Sequence, residues 1–202
     1  MGSTITRMTW IVAFTVAFAL VSTLVYRGSH AALSATTANA GNTWSAFGIS
    51  LSDNDGGTAL FSVSGLLPGD SGAKCLRVTY EGDDAPDGVR LYADVDGTDS
   101  SGVGTGQLPA NLDLTISYDG DGPAATDCTG FVSDGTLATV ALGSMPDDYT
   151  DGVELTSGGG DWQPADGESR TFRIQYALPI AAAATVQGDN ATATFTWEAQ
   201  KS

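Results

Sequence analysis

The sequence predicts an all-β protein: a single jelly-roll-like β-sandwich that follows an N-terminal signal helix. Three observations support this class. An uncharged apolar run lies near the N-terminus, apolar and polar residues alternate in several later segments, and clusters of glycine and aspartate separate those segments. Alternation with a period of two is typical of strands with one buried and one solvated face. Many short strands between turns are typical of sandwiches and jelly rolls.

The N-terminal run has the features of a secretory leader. Arg7 precedes the segment Trp10–Val25, which contains no charge, proline or glycine, and small residues follow at Ala31 and Ala32. This pattern is typical of a signal peptide with its cleavage site, and it predicts a signal peptide over residues 1–32. The alternative is an uncleaved membrane anchor, because the segment Met8–Tyr26 is nearly long enough to span a bilayer.

The chain after the leader is predicted to form one domain. Residues 33–40 (LSATTANA) are mostly small and polar, and we expect a flexible N-terminal segment that becomes a strand when it is paired. Residues 41–202 are predicted to form the β-sandwich domain, since only one core can be traced through the strands. A chain of 202 residues suits one domain and a leader.

Five segments of the domain show the alternation most clearly, and turn clusters near residues 53–57, 82–88, 119–123 and 157–160 separate the strands. Glycine, aspartate and asparagine tolerate the left-handed backbone of tight turns. Residues 145–166 are predicted to be an acidic, glycine-rich excursion between strands. The predicted inward positions are Leu76, Val78 and Tyr80; Val89, Leu91, Ala93 and Val95; Leu112, Leu114 and Ile116; Phe172, Ile174, Tyr176 and Leu178; and Ala193, Phe195 and Trp197.

The charge of the chain restricts its partners. Eight lysines and arginines face 24 aspartates and glutamates, a formal net charge of −16. Two of the arginines lie in the leader, so the mature chain has 8 − 2 = 6 bases and a charge of 6 − 24 = −18. Such a surface excludes nucleic acid, whose phosphates require a basic face. It also disfavours anionic lipid, so we expect membrane contact only through the leader before processing.

The chain has two cysteines, Cys75 and Cys128. In an exported protein such a pair predicts one disulfide. Closing a loop of this length would stabilise the fold by about 4 kcal/mol in the chain-entropy model. Two buried thiols are the alternative.

Two short strings suggest hydrolytic chemistry but lack their partners. Gly69-Asp70-Ser71-Gly72 matches the string around a serine-protease nucleophile, which requires a histidine base. The chain has one histidine, His30, and it lies within the predicted leader. Ser71 and Lys74 also match Ser-x-x-Lys, but the further motifs of that enzyme class are missing. We therefore predict a protein that is not an enzyme, with no catalytic residues, and we interpret Asp70 as a turn residue.

Calcium is the cofactor for which the sequence offers ligands, because hard carboxylate oxygens lie in or beside turns. The candidates are Asp53, Asp55, Asp94 and Asp96, and none of them completes an EF-hand loop. The alternative is that these carboxylates are hydrated turn residues. Three tryptophans could form a platform for carbohydrate. Trp44 and Trp197 are predicted to pack in the core, and Trp162, in the excursion, is the surface candidate.

Several segments together resemble a known family. Asn42-Thr43-Trp44 opens the first strand of the domain, Leu66-Leu67-Pro68-Gly69-Asp70 follows the second, and the chain closes on residues 193–200 (ATFTWEAQ). In this order the chain resembles the TasA/camelysin family of secreted bacterial and archaeal surface and biofilm-matrix proteins. The resemblance implies a jelly roll and assembly into fibres, in which the N-terminal segment of one subunit completes the sheet of its neighbour.

The sequence thus predicts a secreted structural protein of the cell surface or biofilm matrix that self-associates by donor-strand addition. The residues assigned to this assembly are Leu33, Ser34, Ala35, Thr36, Thr37 and Ala38. Two alternatives stay open: a secreted module that binds a cell-wall or matrix polysaccharide, and a camelysin-like metallopeptidase.

Overall fold

The computed structural model describes residues 33–38, 42–43, 49–56, 61, 66–99, 101, 106–182 and 186–201. The predicted signal peptide and its cleavage site lie outside these residues, as does Trp44. The described residues between Leu33 and Lys201 belong to one compact unit. In this part of the chain, no helix has the length and apolar character needed to cross a membrane.

The described residues form ten strands, a one-turn helix α1 (Leu108–Asn111) and a 3₁₀ turn (Leu142–Ser144). The helix begins with Pro109 in its first turn, where a missing backbone N–H costs nothing. The strands are β1 (Leu33–Ala38), β2 (Asn42–Thr43), β3 (Ile49–Asp53), β4 (Ser71–Gly82), β5 (Gly88–Thr98), β6 (Asp113–Asp119), β7 (Gly135–Ala141), β8 (Val153–Glu154), β9 (Ser169–Ala177) and β10 (Asn190–Lys201).

Two antiparallel sheets pack as a sandwich, which confirms the predicted all-β class. The first sheet has the order β2-β1-β10-β5-β8, and the second has the order β3-β4-β9-β6-β7. The chain crosses between the sheets at most of its connections, and β6 and β7 pair directly within one sheet. Neighbouring strands in each sheet are therefore mostly distant in sequence, so the core forms only when both halves of the chain come together.

Alternation along the strands places the core where the sequence predicts it. Leu76, Val78 and Tyr80 on β4 are each 0% exposed, and the predicted inward faces of the other four segments are buried or half-buried. The two sheets meet through aromatic rings: Phe172 on β9 lies 5.6 Å from Trp197 on β10, measured between ring centroids. Both side chains are fully buried.

The predicted excursion packs along the edge of the first sheet beside β5. It contributes β8, and Ala93 of β5 donates its backbone N–H to the carbonyl of Pro146 at 2.8 Å. Arg90 of β5 fixes the middle of the excursion. Its guanidinium binds the Asp161 carboxylate at 2.7 Å and lies 5.3 Å from the ring centroid of Tyr149. Arg90 thus adds side-chain contacts to the backbone bonds that hold this segment, which has little regular secondary structure, against β5.

The connection between β6 and β7, residues 120–134, folds back over the outer face of the second sheet, and we call it the strap. The disulfide between Cys75 of β4 and Cys128 joins the strap to the sheet, which confirms the predicted pairing. A second link comes from the turn after β3, where the side-chain amide of Asn54 donates to the carbonyl of Ala124 at 2.6 Å. Disulfides are typical of non-reducing compartments.

Replacing both cysteines by alanine should lower the free energy of unfolding by about 2–5 kcal/mol, because the bond closes a long loop in the unfolded chain. Equilibrium denaturation with and without a reducing agent measures the loss. Reductant should destabilise the wild-type chain and leave the double variant unchanged. Equal stability of the oxidised wild type and the variant would show that the strap does not depend on the bond.

Candidate functional site

The predicted assembly segment is a strand at the N-terminal side of the described domain. β1 runs antiparallel to the C-terminal strand, with Leu33 opposite Lys201 and Ala38 opposite Thr196. On its other side it pairs with β2 only through Thr37 and Ala38. The structure therefore brings the six predicted residues together as one continuous ladder on β10.

The part of β10 that receives this ladder is anchored in the core. Trp197 and Ala199 are both 0% exposed. In the register of the two strands, Thr37 lies opposite Trp197 and Ala35 lies opposite Ala199. β1 therefore extends the sheet directly beside the aromatic core, and its pairing covers a strand edge that carries core residues.

On the edge away from β1, β10 pairs with β5, and a polar side-chain contact strengthens this pairing. The Tyr92 hydroxyl donates to the Glu198 carboxylate at 2.8 Å, and the same carboxylate accepts from the Gln200 side-chain amide at 2.8 Å. Burial raises the pKa of Tyr92, and the hydrogen bond to Glu198 and the negative charge there raise it further. The phenol therefore keeps its donor proton well above neutral pH.

The C-terminal end of β10 is tied to the turn between β4 and β5. Lys201 forms an ion pair with Asp84 at 3.2 Å, and the backbone N–H of Asp87 donates to the carbonyl of Gln200 at 2.8 Å. Exposed ion pairs contribute little stability, so the backbone bond is the firmer link. β10 is held by the rest of the domain on the side away from β1, which leaves it a fixed template for a pairing strand.

The calcium candidates lie on two different sheets. Asp53 ends β3, and its carboxylate accepts the backbone N–H of Asp55 at 3.3 Å, an Asx-type turn. Asp94 and Asp96 lie on β5 with exposed side chains. Across the described ranges, no three or more histidine, cysteine or acidic side chains are grouped so that they could hold a metal ion.

The interpretation of Trp162 as a surface residue is wrong. Its side chain is 1% exposed, its ring centroid lies 6.1 Å from that of Phe172, and its backbone forms a bridge to Val89. The indole N–H donates to the Glu168 carboxylate at 2.7 Å, and the guanidinium of Arg170 lies 5.0 Å from the ring centroid. Trp162 therefore closes the core, and it offers no face to a polysaccharide. Trp197 is buried as predicted.

The protease-like string forms a turn and the start of a strand. The backbone N–H of Asp70 donates to the carbonyl of Leu67 at 2.9 Å, and Gly69 has φ of +99°. With proline at the second position, this matches a type II turn. The Asp70 carboxylate accepts the backbone N–H of Leu67 at 2.8 Å, which confirms its turn role. Ser71 is an exposed residue at the start of β4.

Sequence patterns did not reveal the partner of β1. The alternation of β10 predicts a strand, but no local signal tells which strand lies beside it, because strand pairing is decided by the whole core. No family model matches the chain. A search of curated proteins found no match either.

Changing Trp162 to alanine should lower the free energy of unfolding by about 3–5 kcal/mol, the usual range for a buried tryptophan. Trp162→Phe keeps a ring against Phe172 and should cost less. Urea denaturation of the three proteins tests this order. A loss below about 0.5 kcal/mol in the alanine variant, as for an ordinary surface residue, would contradict the core role.

The pKa values of Tyr80, Tyr92 and Tyr149 are all raised, with burial the largest cause in each case. The phenols ionise near pH 10 in the unfolded chain and at higher pH in the folded chain. Stability should therefore be retained below pH 10 and fall as the pH rises above it. Urea denaturation between pH 9 and pH 12, roughly the window that the unfolded value sets, should show a shallower decline in Tyr92→Phe. Identical slopes would contradict the assignment.

Proposed function

We propose that this protein is a secreted structural component of a cell surface or biofilm matrix, whose copies assemble into fibres by exchanging β1. The observation that carries the proposal is the six-residue antiparallel ladder between β1 and the C-terminal part of β10. A second copy can supply the same segment in the same register. This is donor-strand addition, in which the backbone bonds of a sheet edge are satisfied by another chain.

The place of β1 in the chain supports exchange. It begins at Leu33, directly after the predicted leader, and its long ladder is made with β10. In its sheet, β2 pairs with β1 alone, so only this two-residue strand loses its sole partner when β1 leaves. The departure of β1 would leave the backbone groups of β10 between Thr196 and Lys201 without this partner, and such an edge pairs readily with another strand.

The strand order supports the jelly-roll interpretation that the family resemblance implies. Without β2 and β3, the sheets read β1-β10-β5-β8 and β4-β9-β6-β7. From β4 onward, each connection crosses to the other sheet except the one between β6 and β7. Two four-stranded sheets connected in this way correspond to a double-sheet jelly roll. In that arrangement β1 is the first strand of the roll and pairs with the last.

Charge favours backbone pairing as the means of assembly. A mature charge of −18 makes copies of the chain repel each other. Residues 33–38 contain no charged side chain, so the exchanged segment adds no further acidic group to the contact. The disulfide between Cys75 and Cys128 supports export to a non-reducing compartment.

Deletion of residues 33–40 from the mature protein should abolish fibres in negative-stain electron microscopy, because the donor segment is then missing from every copy. Circular dichroism and the intact disulfide serve as controls for the fold of the deletion variant. Fibres of unchanged appearance in that variant would eliminate strand donation as the mechanism.

A designed disulfide can show whose β1 occupies the site. Ser34 and Gln200 are register partners, and opposed residues in antiparallel strands have the separation that a disulfide requires. In Ser34→Cys/Gln200→Cys, we expect monomers to form the bond within one chain. Fibres should form it between chains and give a ladder of covalent multimers on a non-reducing denaturing gel.

The matched control for this experiment is Ser34→Cys/Thr194→Cys. Thr194 lies on the same face of β10 as Gln200, six residues along the strand, or roughly 20 Å away. This control should give no ladder. Fibres of the Ser34/Gln200 variant that release only internally bonded monomers would mean that β1 stays with its own chain.

A further inference from the structure

In the described part of the chain, the two sheets end at four strands, and β7 differs from the other three. β2 and β8 have two residues each and β3 has five, whereas β7 has seven. A strand edge offers unpaired backbone groups to other strands, and proteins protect it with charge, proline or short length. β3 and β8 each contain an acidic residue, but the sequence of β7 (GTLATVA) contains no charge and no proline.

The backbone of β7 presents free groups on the side away from β6. At its end, Leu142 donates its backbone N–H to the carbonyl of Leu112, the residue before β6, at 2.8 Å. Backbone groups alternate in direction along a strand, so those of Thr139 and Ala141 point outward. Within the described ranges, no backbone hydrogen bond reaches these outward groups. The edge is therefore ready to continue the second sheet.

A bulge limits the length of this edge. The pairing of β6 with β7 shifts its register between Ile116 and Ser117, which leaves Leu137 as an extra residue. The ladder is regular from Ala138 to Ala141. A partner strand would therefore pair along these four residues of β7.

Apolar side chains accompany the free backbone groups. Val140 lies opposite Leu114, whose side chain is 3% exposed, so Val140 faces the core side of the sheet. Val140 and Leu137 pack against the core but are only half-buried. A strand added at this edge would cover the apolar surface that they still expose, and that burial favours pairing.

Charge favours a second copy's β7 as the partner. A mature charge of −18 makes most contacts between two copies repulsive, but two β7 edges bring no charged residues together. Asp113 is the acidic residue that pairs with β7, opposite Ala141. In an edge-to-edge pair it would lie at least three strand spacings from its counterpart, roughly 14 Å. That distance exceeds the Debye length at physiological salt.

We propose that two copies of the chain pair through β7, edge to edge and antiparallel, so that their second sheets form one continuous sheet. The two-fold axis passes beside Val140. In this register Thr139 of each copy lies opposite Ala141 of the other, and all outward backbone groups of the regular segment are paired. The contact is small, so the dimer is weak. It uses the other sheet from the β1–β10 ladder and does not depend on the proposed function.

Sedimentation velocity of the full mature protein, from roughly 1 µM to 1 mM, tests for the dimer over the range of weak association. The dimer fraction should rise with protein concentration. It should also rise with sodium chloride, because salt screens the repulsion between the acidic copies. A single monomer species at all concentrations would refute the pairing.

Thr139→Glu tests the edge with little effect on the monomer, because Thr139 is exposed. In the dimer the two glutamates would be diagonal neighbours, about 7–8 Å apart. This repulsion should raise the dissociation constant about fivefold. The matched control is Thr192→Glu, which adds the same charge at an exposed position of β10 and should leave the constant unchanged. Equal effects of the two changes would overturn the assignment to β7.

A cysteine at the two-fold axis identifies the partner strand. Residue 140 faces itself in the proposed pair, in the closer type of antiparallel pair, whose spacing suits a disulfide. Val140→Cys should therefore give a covalent dimer, and no larger species, on a non-reducing denaturing gel. Thr192→Cys, exposed but away from the edge, should give far less.

A different occupant of the edge gives a different result. If the wild type associates but Val140→Cys forms no covalent dimer, another strand, such as a released β1, occupies the edge, and the proposed pair is wrong. Thr139→Glu keeps the test decisive if Val140→Cys disturbs the fold. The β7 dimer also separates from strand exchange, because Thr139→Glu should leave the ladder of covalent multimers of Ser34→Cys/Gln200→Cys unchanged.

Discussion

The packing of Phe172 against two tryptophans is the contact on which the rest of the structure depends. Its ring meets Trp197 of the opposite sheet and Trp162 of the excursion. Trp197 belongs to the part of β10 that pairs with β1, and Trp162 is the residue through which the excursion reaches Val89. The two sheets, the excursion and the β1 ladder are therefore all supported by one aromatic cluster.

Two polar groups beside this cluster have partners, whereas the buried indole N–H of Trp197 has no hydrogen bond among the described residues. The Glu168 carboxylate accepts a hydrogen bond from the indole N–H of Trp162. The guanidinium of Arg170 lies over the rings of Trp162 and Tyr118, and it donates a hydrogen bond to the carbonyl of Leu155. Burial lowers the pKa of Arg170, which reflects the cost of placing a cation beside the core. Arg173, on the outer face of the same strand, has an aromatic neighbour but no such polar partner.

Sequence patterns predicted the parts of the structure that depend on local periodicity. The inward faces of the strands, the turn at Asp70 and the disulfide could be inferred because alternation, turn chemistry and cysteine number are local or compositional signals. Trp162 was assigned to the surface because its glycine-rich surroundings have no period, and its burial comes from contacts with distant strands. For the same reason, no local pattern predicted that the strap folds over Arg173 or that β1 pairs with β10.

The ladder between β1 and β10 has consequences for both the equilibrium and the rate of strand exchange. Any exchange of β1 between two copies replaces one set of backbone bonds by an identical set, so the enthalpies of the closed monomer and the exchanged form differ little. The balance is then governed by concentration, since the internal strand has a high effective local concentration. The rate is governed by local opening of a terminal strand. If copies exchange β1 as proposed, the chain should stay self-capped while it is dilute and polymerise where it accumulates.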